Sequence, residues 1–242
     1  VQEALEAQVG ISLNGDSASN RQIRIRGGEG NHVLVLVDGV RAGSGDNEYY
    51  LRGLDLSYVQ RIEVLRGPQA VPYGTDASTG VINIVTRGAG QGWSRGVSGE
   101  LGEGDQTAGY VSYGDDSSEF SLNAYNKNND GYDYSNDGGE RDGIRWRGLA
   151  SKGKLDLSDR LEAGYTLRLA ESAYDLDENA DGFGGRPSSD NEADYVFDDP
   201  SKQSEAFERA VSGQMTYTTL NGQIGQRLRF DRTANQDSVT SD

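Results

Sequence analysis

The chain has 242 residues, enough for one large or two ordinary domains, yet only 34% of them are hydrophobic and 34 are glycine, with 13 tyrosines against 5 phenylalanines. That balance is poor for a conventional soluble core and ordinary for a sheet with one lipid-facing surface. The formal net charge of -16 disfavours nucleic acid and favours divalent cations, and the lack of cysteine, with one histidine and one methionine, excludes a disulfide framework, a thiolate metal site and most imidazole chemistry.

The charge is unevenly placed. Residues 1–88 carry 8 basic and 10 acidic side chains, whereas residues 89–242 carry 15 and 29. No basic, apolar leader opens the sequence, which starts Val1-Gln2-Glu3-Ala4-Leu5-Glu6, so the beginning is expected to be processed or missing. A weak helical pattern over residues 2–9 stops at Gly10. Gln22 to Arg26 alternates apolar and basic residues before Gly27-Gly28, as a half-buried strand ending in a turn does. Val33 to Val37 is the longest apolar run, at five residues far short of the roughly 20 that a membrane-spanning helix needs. It reads as a strand buried on both faces, closed by a tight Asp38-Gly39 turn. His32 opens that strand, and a structural role is expected for it. Further strands are predicted over Val59 to Leu65, before Arg66-Gly67-Pro68, and over Gly80 to Thr86. Together these make a small mixed domain of helix and strands over residues 1–88.

After Arg87-Gly88-Ala89-Gly90 the texture changes to segments of about ten residues, alternating apolar with polar, as in a membrane β-barrel. Strands are predicted near 93–102, 107–113, 119–128, 144–157, 161–170, 205–218 and 223–232. Leu161, Ala163, Tyr165, Leu167 and Leu169 share one face against Glu162, Thr166 and Arg168, and Leu228 and Phe230 oppose Arg227 and Arg229. Residues 144–157 switch phase near Ser151, which predicts a bulge there. The long links, 129–143 and 171–204, fall on one side and the short turns at Ser158-Asp159 and Leu220-Asn221-Gly222 on the other, an asymmetry of outer-membrane barrels. Seven strands are too few to close such a barrel, so the sequence is expected to be truncated at both ends.

Three stretches carry a specific resemblance. Ile25-Arg26-Gly27 followed by Val33 to Arg41 (VLVLVDGVR) is similar to an "IRG" strand and a "vlvLiDGv" strand and turn. Val59 to Pro68 (VQRIEVLRGP), then Tyr73-Gly74 and Gly80 to Thr86 (GVINIVT), is similar to "RIEVlrGP…YG…GVINIiT" in order and spacing. All of them in order over about 65 residues resemble the plug of TonB-dependent outer-membrane receptors, closest to the vitamin B12 (cobalamin) receptor branch. Ala70, Pro72 and Thr79 depart from the pattern and change turn chemistry rather than strands. The resemblance implies an α+β plug domain over residues 1–88 followed by antiparallel transmembrane β-barrel strands over residues 89–242, a partial barrel of about seven strands out of roughly 22.

It further implies an active transporter in the outer membrane of a Gram-negative bacterium. Such a receptor takes up cobalamin, or alternatively a ferric siderophore, with energy from TonB, and is surrounded by outer-membrane lipid and lipopolysaccharide. The segment that TonB grips is not in the sequence. By the same analogy the apical loops, with Glu29 and Asn31 in one and Asp46, Asn47, Tyr49 and Tyr50 in the other, touch the ligand, though solvated turns explain them too. Arg26, Glu63 and Arg66 are expected to form ion pairs between plug and barrel, which are either loosened in transport or merely static. No cofactor is required. Asp175, Asp177, Asn179 and Asp181, with Asp130 and Asp133 in the other long loop, offer hard oxygen ligands for calcium. The spacing is not that of an EF-hand, because the closing position falls on Ser188, and a solvated acidic loop is the plain alternative. Without a Ser/His/Asp set, a cysteine nucleophile or a phosphate-binding glycine loop, no enzyme is indicated. A soluble calcium-binding β-protein or a glycosidase using two of the many carboxylates is the competing class.

Overall fold

A computed structural model describes residues 2–14, 22–42, 56–67, 73, 77–102, 104–129, 131, 143–175, 178–179, 196–197, 202–219 and 225–241. The first domain opens with helix α1 (Gln2–Glu6), shorter than the sequence pattern, and a two-stranded antiparallel sheet of β1 (Ile11–Asn14) and β2 (Gln22–Ile25). A four-stranded sheet follows, in the order β4-β3-β6-β5, built from β3 (Val33–Val37), β4 (Val40–Arg41), β5 (Val59–Arg66) and β6 (Gly80–Thr86). Strands β3 and β6 are parallel; the other two pairings are antiparallel.

Strand β3 is buried at all five positions because it has a core on each side. Val33, Val35 and Val37 join Ile23, Ile25, Ile82 and Ile84 on one face, and Leu34 and Leu36 join Ala77 and Val81 on the other. Asp38 (φ 50°) and Gly39 (φ 73°) both take left-handed backbone, the geometry of a two-residue hairpin turn, and Val37 pairs directly with Val40 across it. Strand β2 ends one residue earlier than expected, because the turn is made by Arg26 (φ 53°) and Gly27 (φ 78°) and closed by the Gly28 amide on the Ile25 carbonyl at 3.0 Å. His32 is exposed; its carbonyl accepts the Thr79 amide at 3.0 Å and hydroxyl at 2.8 Å, tying the starts of β3 and β6 together.

The second domain is a seven-stranded antiparallel meander in which every strand pairs with its sequence neighbour in the sheet. Its strands are β7 (Gly92–Gly102), β8 (Gly104–Gly114), β9 (Ser118–Asn129), β10 (Ile144–Ser158), β11 (Leu161–Asp175), β14 (Lys202–Thr218) and β15 (Gly225–Ser241). Two short strands, β12 (Glu178–Asn179) and β13 (Val196–Phe197), pair within the link between β11 and β14.

The faces of the meander are chemically opposite. Trp93, Val97, Leu101, Phe120, Leu155, Tyr165, Val211, Met215, Tyr217, Leu228 and Phe230 are exposed apolar residues on one face. The opposite face carries Ala108, Tyr125 and Ala150, which belong to the first domain's core, along with buried Ser112, Ser121, Asn123, Arg168 and Ser212. The first domain therefore packs on the polar face of the meander. No helix among the described residues is long and apolar enough to cross a membrane.

Two expectations need correction. Strand β10 has no bulge at Ser151: its register runs unbroken there against both neighbours, and the irregularity lies at Asp156/Ser158. Ala150 and Ser151 are both buried, from opposite sides. Ala150 faces the plug core, and Ser151 is covered by Tyr165, whose hydroxyl lies 3.0 Å from the Ser151 hydroxyl. The upper strand ends were also set too low. Strand β11 continues to Asp175, β14 begins at Lys202 and β15 runs to Ser241, because these ends rise past the apolar band where alternation is no longer legible.

Candidate functional site

The plug is seated on the wall through the turn between β3 and β4. Left-handed backbone at Asp38 aims its carboxylate away from the plug core. There Oδ1 accepts Lys152 Nζ of β10 at 2.9 Å and the Thr86 amide at 3.0 Å, and Oδ2 accepts the Thr86 hydroxyl at 2.6 Å. Lys152 also donates to the Thr86 carbonyl at 2.7 Å. Three donors on a carboxylate whose side chain is 10% exposed satisfy it without bulk water. Removing one partner of such a pair costs about 3 kcal/mol, since the other charge is left uncompensated.

The network extends across the plug. Gly39 donates its amide to Asn83 Oδ1 at 3.1 Å, Asn83 donates to Glu63 at 2.9 Å, and Arg61 donates to the other Glu63 oxygen at 2.7 Å. The Asn83 bond first, and the Arg61 bond and charge after it, hold the Glu63 carboxyl below its ordinary range. On the wall beside the seat, Arg168 of β11 is 4% exposed and grips Glu208 of β14 with both prongs, Nη1 to Oε2 at 2.6 Å and Nη2 to Oε1. A space of about 10 Å³ between Asp38, Val40, Arg168 and Ala210 has room for at most one water. Arg229 of β15 covers Gly39, where a Cβ would lie 3.1 Å from the guanidinium, and the Thr233 hydroxyl donates to the Arg41 carbonyl at 2.8 Å.

The residues singled out from sequence fall at several places. Glu63 is in this network, but its ionic partner is Arg61 of the same strand. Arg66 closes β5 opposite Gly80 and is exposed, and Arg26 is an exposed turn residue whose amide donates to the Gly10 carbonyl at 2.8 Å. An ion pair from plug to wall is made instead by Asp38 and Lys152. Sequence reasoning took Asp38 for a turn former only; the available signal was the placement of Lys152 on the inward phase of its strand. Glu29 is exposed ahead of the short turn Gly30–His32, and Asn31 within it has a buried side-chain oxygen with no protein partner among the described residues.

Asp46, Asn47, Tyr49, Tyr50, Asp130, Asp133, Asp177 and Asp181 lie outside the described residues. Asp175 ends β11 and accepts Gln203 at 3.0 Å, and Asn179 pairs with Val196. Among the described residues no group of three or more acidic or histidine side chains is placed to hold a metal ion.

Comparison with known proteins agrees with this geometry. Residues 1–81 match the family described as TonB-dependent Receptor Plug Domain. The ferric yersiniabactin uptake receptor FyuA of Yersinia pestis superposes with a TM-score of 0.70 at 20% identity, over 100% of this chain and 39% of its own. The ferripyoverdine receptor of the outer membrane of Pseudomonas aeruginosa gives 0.70 at 13% identity, over 96% and 31%. The siderophore receptor PirA of Acinetobacter baumannii gives 0.64 at 17%, over 98% and 41%. The chain thus spans about two fifths of the length of these receptors or less. Residues 1–81 are similar to a TonB-dependent receptor plug domain, and the chain as a whole has the fold of such a domain followed by antiparallel strands that form part of a β-barrel wall.

Proposed function

We propose that this chain is the plug and adjoining wall of an outer-membrane receptor that captures a scarce nutrient and imports it with energy supplied through TonB. The observation that carries this reading is the Asp38 seat. A plug held to the wall by a few directional bonds, beside a small apolar contact through Ala108, Tyr125 and Ala150, can be released by work and can close again. The outward apolar face supports a place in the outer membrane of a Gram-negative bacterium, with lipid and lipopolysaccharide around it. The action is binding and conformational change, without covalent chemistry.

For the ligand we propose a ferric siderophore, supported by the solved receptors of the same fold. Cobalamin is the second reading, favoured by the Asp130, Asp133, Asp175, Asp177, Asn179 and Asp181 side chains in the two long links, which would supply oxygen ligands to calcium. The apical residues Glu29, Asn31, Asp46, Asn47, Tyr49 and Tyr50 would meet the ligand. The test is titration of the whole receptor with ferric siderophores and with cyanocobalamin, each with and without calcium, followed by uptake in cells with and without TonB. Saturable binding and TonB-dependent uptake of one of them are expected. No binding of any of them at micromolar ligand would overturn the reading.

A further inference from the structure

On β10, β11, β14 and β15 the apolar face of the meander ends in arginine at one end only. The residue of that face which follows the apolar stretch toward the long links is charged on each strand: Arg147 after Leu149, Glu171 after Leu169, Arg209 after Val211 and Arg232 after Phe230. Arg145 follows Arg147 two residues further on. All four arginines are exposed. Toward the short turns the same strands present Leu155, Tyr165, Met215, Tyr217 and Leu228 on that face, and no basic side chain among the described residues.

The arginines form two close pairs. Arg145 and Arg147 stand roughly 7 Å apart along one strand. Arg209 and Arg232 are diagonal neighbours across the β14–β15 ladder, roughly 7–8 Å apart. Like charges so near on one face repel, and an anion between them reverses the sign of the interaction. Two of the guanidinium groups are already oriented. Arg147 donates Nε and Nη2 to Glu171 at 2.8 and 2.7 Å, which fixes its plane and leaves the Nη1 donors for a ligand. Arg209 lies 4.7 Å from the centre of the Phe207 ring, a stack that uses none of its N–H donors. Glu205 is the next acid on this face, beyond Phe207. In a chain of net charge -16, four arginines against these two carboxylates reverse the average. The two pairs are separated by β11, two strand spacings, so Arg147 and Arg209 lie about 12 Å apart. Directly below them on the same face are Leu149, Leu167, Leu169 and Val211. A ligand that meets both the arginines and this surface is an anion joined to hydrocarbon.

We infer that this rim is a binding site for one membrane lipid whose headgroup carries two phosphates, one held by Arg145 and Arg147 and the other by Arg209 and Arg232, with its acyl chains on the leucines and valine below. Guanidinium forks match phosphate oxygens in geometry as well as charge. Glu171 is a positioning residue for Arg147. The site rests on the outer-membrane reading above, and it belongs to the leaflet on the side of the long links.

The test uses the whole receptor, stripped of lipid in detergent and titrated with lipid A bearing two phosphates, one phosphate or none. The acyl-free glucosamine disaccharide bisphosphate and inorganic phosphate are the arms for a free anion, and bound molecules are counted by native mass spectrometry. One bisphosphorylated lipid per receptor is expected, held at least about tenfold more tightly than the lipid without phosphate, with neither free anion retained. The paired variants Arg145→Gln with Arg147→Gln, and Arg209→Gln with Arg232→Gln, should each lose about tenfold in affinity and the preference for two phosphates over one. Arg95→Gln, on the same face of β7 but outside the rim, should bind as the unsubstituted receptor does. Equal retention of the three lipids by the unsubstituted receptor overturns the inference whether or not the variants fold. An equal loss in Arg95→Gln, or retention of either free anion as tight as that of the lipid, also overturns it. A receptor that fractionates with the outer membrane yet shows any of these results leaves the membrane reading standing; one that does not fractionate there overturns that reading and the inference with it.

Discussion

Asp38 concentrates at one carboxylate what the plug needs in order to be held. Its two oxygens take a lysine from β10 and both donors of Thr86, and its own left-handed backbone makes the turn that presents them. We expect Lys152→Met to destabilise the seat by about 3 kcal/mol, seen as faster amide exchange over residues 33–41, because the carboxylate is left facing an apolar side chain. Arg26→Gly should act in the opposite direction, stabilising its turn by about 1 kcal/mol in thermal melts, since glycine adopts φ 53° without crowding. Glu63 gives a pH signature. Its carboxyl is held below the ordinary value near 4.5, so its stabilising contribution is complete above that value and is lost as pH falls through the lowered one. The protection of the Asn83 amide, its exchange rate taken relative to the intrinsic rate at each pH from 6 down to 3, should fall at the acid end in the wild type, and this fall should be absent in Glu63→Gln. The turn chemistry of Asp38-Gly39 was legible in the sequence, and the strand phase of Lys152 marked it as inward, but their pairing was not legible because the two lie 114 residues apart.

At the level of single strands, alternation was enough to find all seven wall strands in order, and the longest apolar run was correctly read as buried on both sides. It failed where a strand carries information on both faces at once. In β10, Ala150 answers to the plug and Ser151 to a tyrosine on the outer face, and two adjacent buried positions look like a change of phase. Tyrosines lying over cross-strand glycines are the cause, and a linear reading has no means of pairing Gly153 with Tyr165. A Cβ at Gly153 would sit 2.5 Å from that ring and 3.0 Å from the Glu119 carbonyl. Gly153→Val should therefore displace the ring and break its contact with Ser151, costing about 1–3 kcal/mol in urea unfolding. At the other end of the wall, Asp115 accepts the amides and hydroxyls of Ser117 and Ser118 together with the Tyr113 hydroxyl, which holds its carboxyl far below the usual range and pins the turn between β8 and β9.

For the molecule as a whole, the division of residues between an apolar outer face and a polar inner one decides where it can reside. Val211 faces outward, while its neighbours Ala210 and Ser212 are buried on the inner side. Val211→Lys should cost roughly 2–4 kcal/mol in a bilayer, since a charge near mid-depth has no water to reach. The unfolded chain in denaturant is indifferent to the substitution, so the difference between wild type and variant in guanidinium unfolding from vesicles is the measurement. The order of a mixed sheet followed by antiparallel strands, and the apolar face of those strands, were legible in the sequence, because composition and period report burial directly. Which wall the plug leans on required the register, since that is set by pairings among strands far apart in the chain.

The seat also lies beside the covalent join between the two parts. Thr86 ends β6, residues 87–91 follow, and β7 begins at Gly92. When the bonds of Asp38 are broken, carboxylate and ammonium therefore stay leashed by a short segment, at an effective concentration on the order of millimolar or higher. Rebinding then needs no diffusive search. On the transport reading proposed above, resetting follows from the connectivity: work would have to be sustained to keep the plug unlatched, and none would be needed to latch it again.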